Sequence, residues 1–266
     1  MLLSTKGDID MKKIISFFVA ISLLALTSKP LLSATLKTMP IAIGSGKIKS
    51  YEKSPEKVRW ESEISTAKAV FNKKPFIYTE EKGKGIFGKD NTYKSWITRG
   101  YYEIKNGELI PYEVKTEIKD KSGKIVFDLV KSYNLEAKKI VCKINGKTKI
   151  LDFHQNTIDR DIIGRVLSNF PFESGEDVKF FFVTHEPTLY LITMKNHGKE
   201  TITYKGNNIE CYKLELIPDL GALGFVGAFV PKTYFWYTVS APHEFIRYEG
   251  LESGLGTPVI IMENAN

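Results

Sequence analysis

The residues best able to do chemistry in this 266-residue chain are four histidines, His154, His185, His197 and His243, and two cysteines, Cys142 and Cys211. Asp152-Phe153-His154 sets a carboxylate and an imidazole two residues apart, on one face of an extended strand, where they could act as an acid–base pair. His185-Glu186 is a second such pair. Neither belongs to an H-E-x-x-H zinc motif, because Pro187 follows Glu186 and Leu189 stands where the second histidine is needed. Gly250-Leu251-Glu252-Ser253-Gly254 places its serine one position late for a nucleophile elbow. Two cysteines are too few for a cysteine-based zinc site, and scattered histidines do not imply one. These patterns assign no catalytic residue, no metal ligand and no cofactor.

Gly83-Lys84-Gly85-Ile86-Phe87-Gly88-Lys89-Asp90 satisfies G-x-G-x-x-G and approaches a P-loop. A P-loop, however, needs Ser or Thr after its lysine to hold magnesium, and Asp90 stands there. Both motifs also need a following helix whose amide dipole meets the phosphate. Residues Thr92 to Ile104 are rich in Tyr, Trp, Ile and Thr and predict a strand, so the glycines are expected to serve a hairpin loop.

Cys142 shares strand parity with Ile140 and Ile144 and is expected in the core. Cys211 lies opposite the apolar Tyr212-Leu214-Leu216 face. A disulfide needs Cβ atoms within about 4.5 Å, which opposite faces would forbid; the sequence leaves the pairing open, with two buried thiols as the simpler expectation.

Those residues must be held by strands. Turn pairs recur at Asn106-Gly107, Ser122-Gly123, Asn145-Gly146, His197-Gly198 and Gly206-Asn207, supplying the positive φ of tight turns. Between them apolar and polar residues alternate. Ile110, Tyr112, Val114 and Ile118 oppose Glu113, Lys115, Glu117 and Lys119; Val58, Trp60 and Ile64 oppose Arg59, Glu61 and Glu63. Further strands are predicted from Lys124 to Tyr133, Lys138 to Ile144, Lys179 to Thr184, Leu189 to Met194, Glu200 to Tyr204, Ile209 to Ile217, Lys232 to Val239, Glu244 to Glu249 and Pro258 to Glu263. Short connections imply antiparallel neighbours. Ile158, Ile162, Ile163, Val166, Leu167 and Phe170 recur at helical spacing, with Asn156 or Thr157 to cap the start and Pro171 to stop it. The expected architecture is mainly β: a curved antiparallel sheet with one or two helices on its apolar face.

The N-terminus carries a different signal. Met11-Lys12-Lys13, an apolar run from Ile14 to Leu26 and a small-residue end at Ser33-Ala34 form a secretory signal peptide. The run is shorter than the roughly 20 residues of a membrane span. Residues 1–34 are thus expected to be removed, with Met11 as the true start and cleavage near Ala34. Residues 35–266 would form a single β domain exported to the periplasm. The formal charge of +7 comes from 38 basic against 31 acidic residues. Only Arg59, Arg99, Arg160, Arg165 and Arg247 are arginines, and the lysines are scattered along strands. Arg-rich patches read nucleic acid, so no nucleic-acid partner is expected.

The C-terminal half resembles a known family. The residues that carry the likeness are Asn169-Phe170-Pro171-Phe172, Glu210-Cys211-Tyr212-Lys213-Leu214, Thr233-Tyr234-Phe235-Trp236-Tyr237 and Ala241-Pro242-His243-Glu244-Phe245-Ile246-Arg247-Tyr248-Glu249-Gly250. They resemble a domain of unknown function found mainly in Gram-negative exported proteins. The resemblance implies a fold similar to periplasmic lipoprotein carriers, an open half-barrel whose concave apolar face is covered by helices. It brings no catalytic residue.

Sixteen Phe, thirteen Tyr and three Trp make aromatic residues 12% of the chain. Together with the uncharged glycine-laced run Leu220–Val230, they point to a non-enzymatic binding or carrier module for an apolar ligand or lipid. Its expected cavity residues are Trp60, Trp96, Phe170, Phe225, Phe229, Tyr234 and Trp236. The alternative is an envelope structural or assembly protein acting through an envelope protein partner.

Overall fold

The computed structural model describes residues 36–52, 57–219 and 231–265. The leader, Phe225, Phe229 and the whole Leu220–Val230 run lie outside the described residues. The first strands are β1 (Gly44–Tyr51), β2 (Val58–Phe71), β3 (Lys74–Phe87), β4 (Thr92–Lys105) and β5 (Glu108–Asp120). Then follow β6 (Ile125–Asn134), β7 (Lys139–Ile144), β8 (Lys147–Asp152) and the short β9 (Thr157–Asp159). The last are β10 (Val178–Val183), β11 (Leu189–Tyr204), β12 (Asn207–Pro218), β13 (Thr233–Thr238), β14 (Phe245–Leu251) and β15 (Val259–Asn264). The chain is mainly β, as its alternation and turn residues predict.

All fifteen strands join one sheet, in the order β8-β7-β6-β5-β4-β3-β2-β1-β15-β14-β13-β12-β11-β10-β9. Every neighbouring pair is antiparallel except β9–β10, which is parallel. The sheet is open, its edges being β8 and β9. Side chains of β9 nevertheless reach β6, three strands in from the far edge, so the sheet curls until its ends meet. A curled sheet needs a strong twist and local irregularities, and the ladders shift register at Ser50/Tyr51, Tyr101/Tyr102, Ile118/Lys119, Asn196/Lys199 and Trp236/Tyr237.

Turn chemistry explains the hairpins. Asn106-Gly107 and Asn145-Gly146 both hold paired positive φ angles, as a two-residue hairpin turn requires. Two turn expectations need correction. His197-Gly198 is a bulge within β11, which runs unbroken through the two shorter strands expected there. The next hairpin turns on Lys205-Gly206, one residue earlier than Gly206-Asn207. The β2–β3 turn, Asn72-Lys73, has no glycine to announce it.

The main core lies inside the curl. It gathers Tyr102, Val114, Leu129, Ile140, Cys142, Phe180, Ile192, Met194, Tyr212, Leu214, Phe235 and Tyr237 from the inner faces of the strands. The helix expected from Ile158 to Phe170 is reduced to α1 (Ile163–Val166) between two short 3₁₀ turns, with Ile158 already in β9. Its cap is also displaced: Asp159 accepts from the Asp161 amide, instead of Asn156 or Thr157 capping the start. The apolar spacing still identified the buried face, since all six of its apolar residues enter the core. Tyr237 fixes this segment to the sheet by donating its hydroxyl to the Gly164 carbonyl at 2.8 Å. A smaller cluster, Ile202, Cys211, Trp236 and Ile246, occupies the outer face of β11–β14. Cys142 and Cys211 are therefore on opposite faces, and both thiols are free.

Candidate functional site at the seam of the sheet

The most unusual chemistry lies where the two edges of the sheet meet. On β6, Leu129, Lys131 and Tyr133 alternate inward, and Lys131 has no exposed side-chain surface. Across the seam, β9 ends at Asp159, whose side chain is also fully buried. Lys131 Nζ lies 2.6 Å from Asp159 Oδ2 and 3.4 Å from Asp161 Oδ2. Tyr133 donates its hydroxyl to the same Oδ2 of Asp159. The other oxygen, Oδ1, accepts the Asp161 backbone N–H at 3.0 Å. Both oxygens of the buried carboxylate thus have donors, two on Oδ2 and one on Oδ1, the condition under which a buried charge is tolerated.

The two carboxylates are held apart electrostatically. Burial pushes Asp159 up to about 6, against the pull of the Lys131 ammonium. At Asp161 burial also acts upward, but the charges of Lys131 and Arg160 outweigh it and hold the carboxyl below its usual range. Lys131 is disfavoured as a cation by burial, yet the two aspartates raise it above its usual range.

Arg160 connects this centre to a second network by donating to the Glu252 carbonyl at 3.0 Å. Glu252 Oε1 accepts from Trp60 Nε1 at 2.9 Å and Arg59 Nε at 3.2 Å. Its Oε2 accepts the Gly88 backbone N–H at 2.7 Å. Arg59, expected on the wet side of β2, is buried by this partner and by Glu52, 2.6 Å from its Nη1.

The glycines of the G-x-G-x-x-G match are explained by the same region. Gly83 and Gly85 lie within β3 instead of a loop, and the next element is β4. A Cβ at Gly83 would stand 2.1 Å from the Trp96 ring, and one at Gly85 would stand 2.4 Å from the Arg59 carbonyl oxygen. The glycines make room for an aromatic ring and a neighbouring backbone.

Beside the charged centre the seam opens into a hollow of about 380 Å³, open to solvent on one side and lined by Phe127, Ile144, Lys149, Glu186, Pro187 and Thr188. Phe127, Ile144 and Lys149 come from β6–β8 at one edge; the others form the β10–β11 turn. His185 stacks on Phe127, with ring centroids 4.8 Å apart, and fastens that turn to β6. Burial and the charges of Arg160 and Lys131 push its imidazole down to about 3, so it is neutral at pH 7. The neighbouring stack of His154 on Phe181, 3.7 Å between centroids, spans the same seam.

The acid–base pairs read from the sequence are used otherwise. Asp152 pairs with Lys139 at 2.7 Å while His154 covers Phe181. His197 Nε2 meets Glu215 Oε2 at 2.7 Å on the outer face, where Lys232 lies 3.1 Å from Glu215 Oε1. Among the described residues no group of three or more His, Cys, Asp or Glu is arranged to hold a metal.

Of the aromatic residues selected for a cavity, the five that are described do not converge. Trp60 and Trp96 meet edge to face at 5.5 Å, beside the Glu252 network. Phe170 is packed in the main core. Tyr234 and Trp236 are associated with the outer cluster, where Trp236 donates to Glu200 at 2.6 Å and Lys213 lies over the Tyr234 ring. None of these lines the seam cavity. The residues missed were Lys131, Asp159 and Asp161. Lys131 had left a signal: it shares parity with Leu129 and Tyr133, an inward position for a lysine.

Comparison with solved structures finds a β-barrel-like protein of domain of unknown function DUF1849 from Brucella abortus. It superposes with a TM-score of 0.51 at 6% identity, covering 86% of this chain and 97% of that one. At that identity the likeness shows the β-barrel-like fold alone. No family model matches the chain, and no curated protein matches it in sequence.

Proposed function

We propose that this chain is an exported, periplasmic, non-enzymatic module that binds an apolar ligand or lipid at the seam. The observation that carries the reading is the half-open hollow of about 380 Å³ between β6–β8 and the β10–β11 turn. Its volume falls in the range of small-molecule sites, roughly 300–1,000 Å³. Phe127, Ile144 and Pro187 supply an apolar wall, and Lys149 and Glu186 add charged groups. The seam has no backbone ladder between β8 and β9, so an acyl chain could enter by moving one turn. The signal-like leader and the resemblance to carrier-type periplasmic proteins support the location.

Native mass spectrometry of the protein extracted from cells, with displacement of a fluorescent fatty acid in solution, tests this. The wild type should carry or take up the probe, and Ile144→Asp should weaken binding at least about tenfold, the effect of roughly 1.4 kcal/mol. A bare mass together with no probe binding sinks the reading. Amino-terminal sequencing of the periplasmic fraction should begin near Thr35.

A second reading, an envelope assembly protein working through protein contacts, draws on another observation. Val70, Phe71 and Tyr112 are exposed by 79%, 47% and 42%. The rings of Phe71 and Tyr112 lie 6.0 Å apart on the outside of the sheet, next to Phe76. Exposed apolar clusters of this kind mark contact surfaces. A photo-crosslinker at Phe71 that captures no defined partner in cells counts against it.

A further inference from the structure

We propose that Lys131 and Asp159 join in an intramolecular amide bond that closes the seam covalently. Neither residue is needed by the binding reading above, and the inference stands apart from it.

The geometry supplies each part of such a reaction. The amine nitrogen lies 2.6 Å from Asp159 Oδ2, one bond away from the carboxyl carbon it would attack. Both side chains are fully buried, so the pair is held without competing solvent. Fixing two reactants in one site gives effective molarities of about 10⁵–10⁸ M, which lowers the barrier to attack. The two carboxylate oxygens are differently placed. Oδ2 accepts from both Tyr133 and Lys131, so it is the oxygen prepared to leave. Oδ1 accepts the Asp161 N–H at 3.0 Å, a backbone donor set where negative charge develops in the tetrahedral intermediate. Asp161, its Oδ2 at 3.4 Å from Nζ, is the proton carrier.

The step balances without a further reactant. Lys131 as ammonium passes one proton to Asp161, which frees the nitrogen lone pair. The amine attacks Asp159 Cγ and a C–N bond forms. Two protons, one returned by Asp161 and one from nitrogen, reach Oδ2, the C–O bond breaks, and one water leaves. Asp161 ends as it began, a carboxylate. The paired charges hold Lys131 as ammonium and Asp161 as carboxylate at the outset, and burial disfavours the Lys131–Asp159 charge pair relative to the neutral amide and water that replace it. The link would join β6 to β9, two strands with no shared backbone ladder, in a protein whose two cysteines sit on opposite faces and cannot bridge.

The wild-type protein decides the matter, with no variant needed. Full-length protein is purified folded, held at neutral pH, then denatured and weighed intact, its termini defined by peptide mapping. The expected result is a mass lower than the sequence mass by one water, with a branched tryptic peptide joining Lys131 to Asp159. Lys131→Arg, shown folded by its near-ultraviolet circular dichroism, should have the full mass. Asp161→Asn should slow the loss of water, and Asp161→Glu should restore it. A folded wild type with the full sequence mass overturns the proposal, leaving an ion pair. So does a water loss that maps to other residues or persists in Lys131→Arg.

Discussion

The inner surface of the sheet has two unlike halves. From β2 to β6 the inward positions include Ser62, Thr66, Thr79, Thr98, Thr116 and Lys131, all buried. Thr98 and Thr116 meet at 3.1 Å across β4 and β5. From β10 to β13 the same inward positions are Val178, Phe180, Ile192, Met194, Tyr212, Leu214, Phe235 and Tyr237. One half sets hydroxyls and an ion pair among apolar residues such as Ile77, Tyr102, Val114 and Leu129; the other is lined by aliphatic and aromatic side chains. Both present the same strand alternation, because alternation reports only which side is hidden from water and not how the hidden side is satisfied. Apolar packing is tolerant of shape and rewards area; a buried ion pair holds only while both members are present.

That difference can be broken experimentally. The largest effect is expected at Lys131→Met, which strands Asp159 in the interior and should cost about 3–5 kcal/mol in urea unfolding. Adding Asp159→Leu should recover the part of the loss that comes from the stranded carboxylate, since a well-packed apolar pair often replaces a buried ion pair without penalty, while any stability from a Lys131–Asp159 link stays lost. A double variant no more stable than the single one would show that the polar half depends on more than this pair. Leu214→Ala, in the apolar half, should cost about 2–5 kcal/mol by leaving a cavity, and no second truncation nearby should restore it.

A smaller effect is expected from acid at the boundary between the halves. His185 has its folded value depressed to about 3, from the ordinary 6.5. The folded state thus binds fewer protons than the unfolded chain. Its contribution to stability is present above pH 6.5 and is lost as the pH falls from there toward 3. The ring is partly exposed, so screening trims the slope to less than about 1.4 kcal/mol per pH unit. Urea midpoints at pH 7 and pH 4.5 should differ less in His185→Phe than in the wild type; equal differences would refute the assignment. The smallest effect is expected at Lys115→Ala, whose side chain faces outward from the polar half and pairs with Glu113 at 2.8 Å. Exposed pairs of this kind contribute about 0–1 kcal/mol.

Much of the fold was legible because strands and turns are local. Asn106-Gly107 and Asn145-Gly146 mark hairpins by backbone chemistry alone, and Tyr212-Leu214 shows its buried side by parity. The apolar positions from Ile158 to Phe170 marked a buried face correctly although most of the segment is not α-helical. Spacing of three and four fits a run of mixed turns as well as a helix. The seam was not legible, because it joins residues from opposite edges of the sheet. Asp159 and Asp161 fall between the apolar positions of the segment expected to be helical, where polar residues face water, and Arg59 looked solvated because its partner Glu252 lies far along the chain. The choice of cavity aromatics failed to find one place for a related reason. Aromatic content says that large side chains are present, whereas Trp96 is needed above Gly83 and Trp236 belongs to the other face.

The pairing of β1 with β15 has a topological consequence. The Ala265 N–H donates to the Lys47 carbonyl at 2.8 Å, which brings the ends of the described sheet side by side. Begun at β9, the spatial order runs through β15, passes to β1 and ends at β8 without a skipped strand. The architecture is thus a circularly shifted meander. A permutant that links the region before β1 to the region after β15, and opens between β8 and β9, would turn the most distant pairing in the chain into a local hairpin. Lower contact order speeds folding, so the natural order of this chain places its slowest pairing at the middle of the sheet and its chain crossover at the seam.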